Sequence, residues 1–238
     1  MEFEEFKSFF QEELKKNCLT LEVDFEKFYR YMKELLAWNE KINLTAIKDE
    51  KEFVVKHFID SLTIANLVPE NSKVIDIGTG AGFPGIPLKI VRNDIEITLV
   101  DSVNKKVMVL QDVIEKLNLK NICAMHTRAE DIAHKIEFRE SFDIATSRAV
   151  SNLTTLVEYL LPFVKVGGKV LCMKGPNYDI EVENAKKAIS TFGGKIVDTV
   201  SMNIDSELER HIVIIEKISN TPKKFPRGQG LPLKKPLM

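Results

Sequence analysis

Lys73-Val74-Ile75-Asp76-Ile77-Gly78-Thr79-Gly80-Ala81-Gly82-Phe83-Pro84-Gly85 decides the fold. Its opening, Val74 to Ile77, is apolar and rich in β-branched residues, which reads as a buried parallel strand. Gly78, Gly80 and Gly82 follow at once. Glycine accepts positive φ and lets a ligand approach the backbone closely. Pro84 falls where the first residue of a helix belongs. The stretch therefore predicts strand, glycine loop and helix N-terminus, whose free N–H groups suit a carboxylate or a phosphate. A second strand over 95–100 ends in Asp101, and an acid about twenty residues beyond such a loop accepts hydrogen bonds from ribose hydroxyls. Loop and acid together point to a nucleoside-containing ligand at the C-terminal edge of a parallel sheet.

Outward from this stretch, strands and helices alternate. The pattern predicts strands at 73–77, 95–100, 121–126, 142–147, 168–174, 195–201 and 210–217, with helices near 84–92, 104–117, 129–136, 151–161 and 179–192. Gly167-Gly168 and Gly193-Gly194 are placed as the glycines that end two of these helices. A polar turn with Asn203 and Asp205 joins the last two strands without a helix, so that hairpin is antiparallel. The expected fold class is α/β and Rossmann-like, a seven-stranded, mainly parallel sheet with an antiparallel last strand. Ahead of it, Phe3, Phe6 and Phe10, then Phe25, Phe28, Met32, Leu35 and Leu36, recur at helical spacing and read as core. The boundaries are set at 1–70 for an N-terminal helical cap, 71–218 for the sheet domain and 219–238 for a basic tail.

Of 238 residues, 44% are hydrophobic, enough for one sizeable core. The start, Met1-Glu2-Phe3-Glu4-Glu5, lacks a signal-peptide pattern, and no apolar run approaches a membrane span, so the expectation is a cytoplasmic protein with no membrane contact. Cys18, Cys123 and Cys172 are isolated, and the four histidines are scattered, so neither a disulfide framework nor a metal site is expected. Cys123 and Cys172 fall in apolar strands and read as small core residues. No exposed apolar heptad points to a coiled coil, and a monomer is expected.

The net charge of −1 announces no polyanion, but its distribution is uneven. From Lys217 onward the charged residues are all basic, and the proline-rich segment from Thr221 reads as extended and mobile. Lys105, Lys106, Lys174, Lys223, Lys224 and Arg227 form a candidate phosphate-binding set, with Phe225 placed to stack on an unpaired base. Arg148, in Ser147-Arg148-Ala149-Val150, ends the fourth strand, across the switch point from the glycine strand, where a substrate would meet the ligand. A guanidinium there suits a carboxylate or an RNA phosphate; no catalytic residue is assigned, Arg148 being the one the position leaves open. The loop after the third strand, Thr127-Arg128-Ala129-Glu130-Asp131, would lie against an adenine.

Two ligand classes fit the glycine loop. Gly80-Ala81-Gly82-Phe83-Pro84-Gly85 matches G-x-G-x-x-G, so a NAD-linked oxidoreductase is open. Asp76-x-Gly78-x-Gly80-x-Gly82 instead resembles the first motif of class I S-adenosylmethionine-dependent methyltransferases. A non-catalytic RNA-binding protein on the same fold would have lost Gly78 or Asp101, and both are present. The fourth strand carries neither an Asn/Asp-Pro-Pro-Tyr/Phe motif nor a Pro-Cys nucleophile, which favours a substrate with a free lone pair, such as guanine N7.

Trp38-Asn39-Glu40-Lys41-Ile42-Asn43-Leu44-Thr45, His57-Phe58-Ile59-Asp60-Ser61, Gly78 to Pro87, Arg128-Ala129-Glu130, Ser147-Arg148-Ala149-Val150 and the Pro222-Lys223-Lys224 tail together resemble the bacterial GidB/RsmG family. The resemblance runs along nearly the whole chain. It implies methyl transfer from S-adenosylmethionine to N7 of one guanine (guanine 527 in the usual rRNA numbering) in 16S ribosomal RNA, and hence the small ribosomal subunit as partner. It implies cofactor contacts at Gly78, Phe83, Ala129, Glu130 and Arg148; Gly80 and Asp101 join them from the loop and ribose argument. Asn39, Lys41, Asn43, His57 and Asp60 read equally as RNA-facing residues or as a buried polar network. Removing the tail is expected to spare cofactor binding.

Overall fold

The computed structural model describes residues 1–205 and 208–237. Seven strands form one sheet: β1 (Lys73–Ile77), β2 (Glu96–Asp101), β3 (Ile122–His126), β4 (Phe142–Arg148), β5 (Val164–Lys174), β6 (Gly194–Asn203) and β7 (Glu209–Lys217). Their order is β3-β2-β1-β4-β5-β7-β6. Chain order reverses between β1 and β4, which is the switch point of an open α/β sheet. All neighbours pair in parallel except β7, which runs antiparallel to both β5 and β6.

Side-chain alternation along the strands sorts the core into two layers. Val74, Ile97, Ile144 and Leu171 face one layer, shared with the N-terminal helices, α5 (Gly85–Val91) and α6 (Asn104–Lys116). Ile75, Val100, Ala145 and Val170 face the other, shared with α7 (Ala129–Ile132), α8 (Leu153–Leu160) and α9 (Tyr178–Thr191). The cap comprises α1 (Phe3–Lys16), α2 (Phe25–Asn39), α3 (Glu50–Phe53), a π-helical turn over Val54–Ile59 and α4 (Asp60–Leu62). Asp24 caps α2, its carboxylate accepting the Lys27 N–H at 3.0 Å. The aromatic stripes of α1 and α2 are core: Phe6, Phe10, Phe28 and Tyr31 are fully buried.

Four expectations are corrected. Gly167 and Gly168 lie inside β5, where a register shift opposite Phe142–Ile144 bends the strand, and do not end a helix. Gly193 does end one, following α9 at φ +82°. Pro84 precedes α5 and is not its first residue, and its bond to Phe83 is cis. Cys123 is exposed because β3 is an edge strand, whereas Cys172 in central β5 is buried. The tail, finally, is packed rather than extended. Phe225 is 6% exposed with its ring edge-on to Phe192 at 4.9 Å, and the segment ends in α10 (Leu231–Lys234).

Candidate functional site

The C-terminal ends of β1, β2, β3 and β4 meet around a cavity of about 170 Å³. Gly78, Asp101, Ala129, Glu130, Val150 and Tyr159 are among the residues that line it. Gly78 and Gly80 take φ values of +69° and +62°, which side-chain-bearing residues rarely adopt. A Cβ on Gly78 would collide with the Val150 side chain, so this position admits only a bare backbone.

Main-chain groups hold the loop in place. Gly78 N–H donates to Val100 O at 2.8 Å. The Asp101 carboxylate accepts from Gly80 N–H at 2.9 Å and from Val103 N–H at 2.8 Å. Asp101 is 6% exposed and lines the cavity, with lone pairs left for a further donor. Beneath the loop, Asp76 Oδ2 accepts from the Thr79 hydroxyl and Gly85 N–H at 2.7 and 3.0 Å. Its Oδ1 is buried with no partner among the described residues. Burial pushes the Asp76 carboxyl up to about 7, against the hydrogen bonds from Thr79 and Gly85. The cap reaches the loop through Tyr31, whose hydroxyl donates to Ala81 O at 2.6 Å. Desolvation holds that phenol well above its ordinary range.

Across β1 the edge is held by side chains. Asp60, 1% exposed, accepts from Arg148 at 2.8 Å and, through both oxygens, from Arg210 at 2.6 and 2.7 Å. Arg148 also lies 3.1 Å from His57 Nδ1, and Thr45 Oγ1 lies 2.8 Å from His57 Nε2. The His57 ring stacks on Phe83 at 4.4 Å, and the Arg148 guanidinium sits over the same ring at 4.9 Å. Burial, reinforced by the Arg148 charge, lowers the imidazole to about 3, so it is neutral. His57 and Asp60 therefore take the buried-network alternative. So does Asn39, whose side chain pairs with the backbone of Leu44 and Thr45. Lys41 and Asn43 are exposed.

Of the residues singled out from sequence, Gly78, Asp101, Ala129 and Glu130 come together around the cavity, with Gly80 tied to Asp101 beside it. The Phe83 side chain is 5% exposed and belongs to the cap interface, so it leaves only main-chain groups for a ligand. Arg148 is engaged with Asp60 and His57 and is not a free guanidinium. Among the proposed phosphate contacts, Lys105, Lys223 and Lys224 are exposed and Lys106 is half-buried. Three others are corrected. Lys174 is 8% exposed and bonded to Ser151 O and Glu181 at 2.8 and 2.6 Å. Arg227 forms a bidentate pair with buried Glu158, and Phe225 is core. Arg227 and Phe225 are bound by groups from distant segments, and nothing local to the tail announces that. Reading the sequence also missed Tyr31, hidden in an aromatic stripe, together with Arg210, Tyr159 and Leu233.

Comparison with known proteins agrees with this architecture. The family described as GidB, rRNA small subunit methyltransferase G, matches residues 24–213. A ribosomal RNA small subunit methyltransferase G from Clostridium perfringens is 48% identical over 232 residues, covering 94% of this chain and 97% of its own length. Its namesake from Clostridium beijerinckii is 49% identical over 216 residues, covering 90% of each. Among solved structures, a SAM-dependent methyltransferase from Aquifex aeolicus superposes with a TM-score of 0.52 at 18% identity, covering 76% of this chain and 98% of that one. M. jannaschii TYW2 in complex with AdoMet gives 0.55 at 17%, covering 67% and 75%. Those structures share the fold, and the family match and the near-half identity along almost the whole length establish that the chain belongs to the GidB family.

Proposed function

We propose that this chain transfers a methyl group from S-adenosylmethionine to N7 of a single guanine in 16S ribosomal RNA, acting in the cytoplasm as a monomer on the small ribosomal subunit. The observation that carries the reading is the cavity at the switch point, bounded by the bare backbone of Gly78 and the carboxylate of Asp101, in a chain of this family. The dinucleotide alternative falls with the family assignment.

The residues present fit the methyl donor. Asp101 offers acceptors for two ribose hydroxyls, and Val100 and Ala129 offer apolar surface for an adenine. The Gly78 backbone admits the close approach of the amino-acid end. When bound, the donor supplies an electrophilic methyl on a positively charged sulfur. Guanine N7 would offer that methyl a lone pair, with the C–S bonding pair left on sulfur, and no proton would have to leave the base. The chain then has mainly to align the two partners, which supplies about 7–11 kcal/mol of a barrier. The engagement of both His57 ring nitrogens and of Glu130 in hydrogen bonds is consistent with a reaction that asks for no general base. Exposed Lys105, Lys223 and Lys224 are the proposed phosphate contacts.

The deciding experiment is a radiolabelled methyl-transfer assay on 30S subunits from a strain lacking this activity, with mass spectrometry locating the mark. A single 7-methylguanine is expected. Transfer to another atom, or none despite tight donor binding, would overturn the substrate assignment.

A further inference from the structure

The C-terminal segment is bound to the face of the molecule that carries the nucleoside cavity. Arg227 anchors it through the bidentate pair with Glu158, and Arg227 N–H donates to the same carboxylate at 2.8 Å. His134 bonds Pro226 O at 2.9 Å, and Arg139 reaches Phe225 O at the same distance. Beyond the anchor, the chain reaches the edge of the cavity, where Leu233 joins its lining. Gly230 N–H donates to Glu130 Oε1 at 2.8 Å, so the tail is hydrogen-bonded to a residue that lines the pocket. The Thr155 hydroxyl of α8 donates to Pro232 O at 3.2 Å, and Pro232 is buried. The consequence lies at Leu233. Its side chain is 60% exposed, yet it forms part of the cavity wall, across from the ends of β1 and β2. An apolar side chain held at the mouth of a pocket by two fixed neighbours gains burial when a flat apolar group enters.

We propose that residues 228–234 are a structural wall of the nucleoside pocket, with Leu233 contacting the adenine ring and the Glu130–Gly230 hydrogen bond fixing where that wall stands. This rests on the methyl-donor reading above and extends it to a segment that sequence alone assigned to RNA. It reverses the expectation that the tail is dispensable for cofactor binding.

Calorimetry with S-adenosylhomocysteine tests it, using the full chain, Leu233→Ala and a chain ending at Gly228. The shortened chain keeps the Phe225 and Arg227 anchors. Leu233→Ala is expected to raise Kd about fivefold, and the shortened chain at least tenfold. The unliganded Tm of each should stay within a few degrees of the full chain's, separating a pocket effect from unfolding. Wild-type affinity in both variants would overturn the proposal and leave the methyl-donor reading standing. Failure of the full chain itself to bind S-adenosylhomocysteine would overturn both.

Discussion

The two sides of the β1 tip solve the same problem, fixing an edge of the sheet for a ligand, in different ways. Toward β2 the glycine loop is held by backbone N–H groups on Val100 O and on Asp101. Toward β4 the edge is held by side chains that converge from β4 and β7 on one buried carboxylate of the cap, Asp60. The first arrangement leaves a concave, partly polar surface with acceptors to spare. The second satisfies its charges internally and presents little to a ligand. One side is therefore an open concave surface and the other a frame, and on the proposed function substitutions should divide accordingly between affinity and stability.

The largest effect is expected at Asp60. Asp60→Asn leaves two guanidiniums, with side chains only 10% and 12% exposed, facing a neutral amide. Removing one member of a buried ion cluster costs about 3–5 kcal/mol. Urea unfolding should register that loss, and a loss below about 1 kcal/mol would mean that the frame does not depend on this carboxylate. Next is Asp101→Ala, which should weaken S-adenosylhomocysteine binding by about 1.5–3 kcal/mol through lost charged hydrogen bonds. Its stability cost should be smaller than that of Asp60→Asn. Unchanged affinity by calorimetry would end the ribose role, and the reverse ranking of the two stabilities would break the division between surface and frame.

This contrast also explains what could be read from the sequence. The glycine loop is a local device, because spacing within 73–85 and one acid at 101 specify it, and strand limits followed from β-branched runs to within a few residues. The Arg148 frame is not local. Asp60 and Arg210 are 150 positions apart, and nothing near either names its partner. His57 and Asp60 could be singled out but not told apart from RNA contacts, because Phe53 and Phe83 pack on His57 and two distant arginines close on Asp60. The tail failed for a related reason. Prolines and lysines predict a solvated chain, whereas Glu158, buried in α8, requires a cation and takes Arg227 from 69 positions away.

Smallest in the wild-type chain, where two slopes cancel, and the one that sets the two sides directly against each other, is the pH dependence of stability. His57 belongs to the frame and is lowered to about 3. Its contribution is present above the unfolded imidazole value of about 6.5 and is lost as pH falls from there toward 3, at up to about 1.4 kcal/mol per pH unit. Asp76 lies beneath the loop and is raised to about 7. Its protonated form is favoured by folding, so its contribution is present below the unfolded carboxyl value of about 4 and is lost as pH rises through 7. Between about pH 4 and 6.5 the two slopes oppose, and the wild-type curve should be flatter than either alone. His57→Gln should leave stability falling as pH rises across that window, and Asp76→Asn should leave it rising. Urea midpoints at half-unit steps of pH would read both. Parallel curves for the two variants would mean that the titrations do not belong to these groups, whereas curves that diverge with opposite sign tie one slope to the frame and the other to the bed of the pocket.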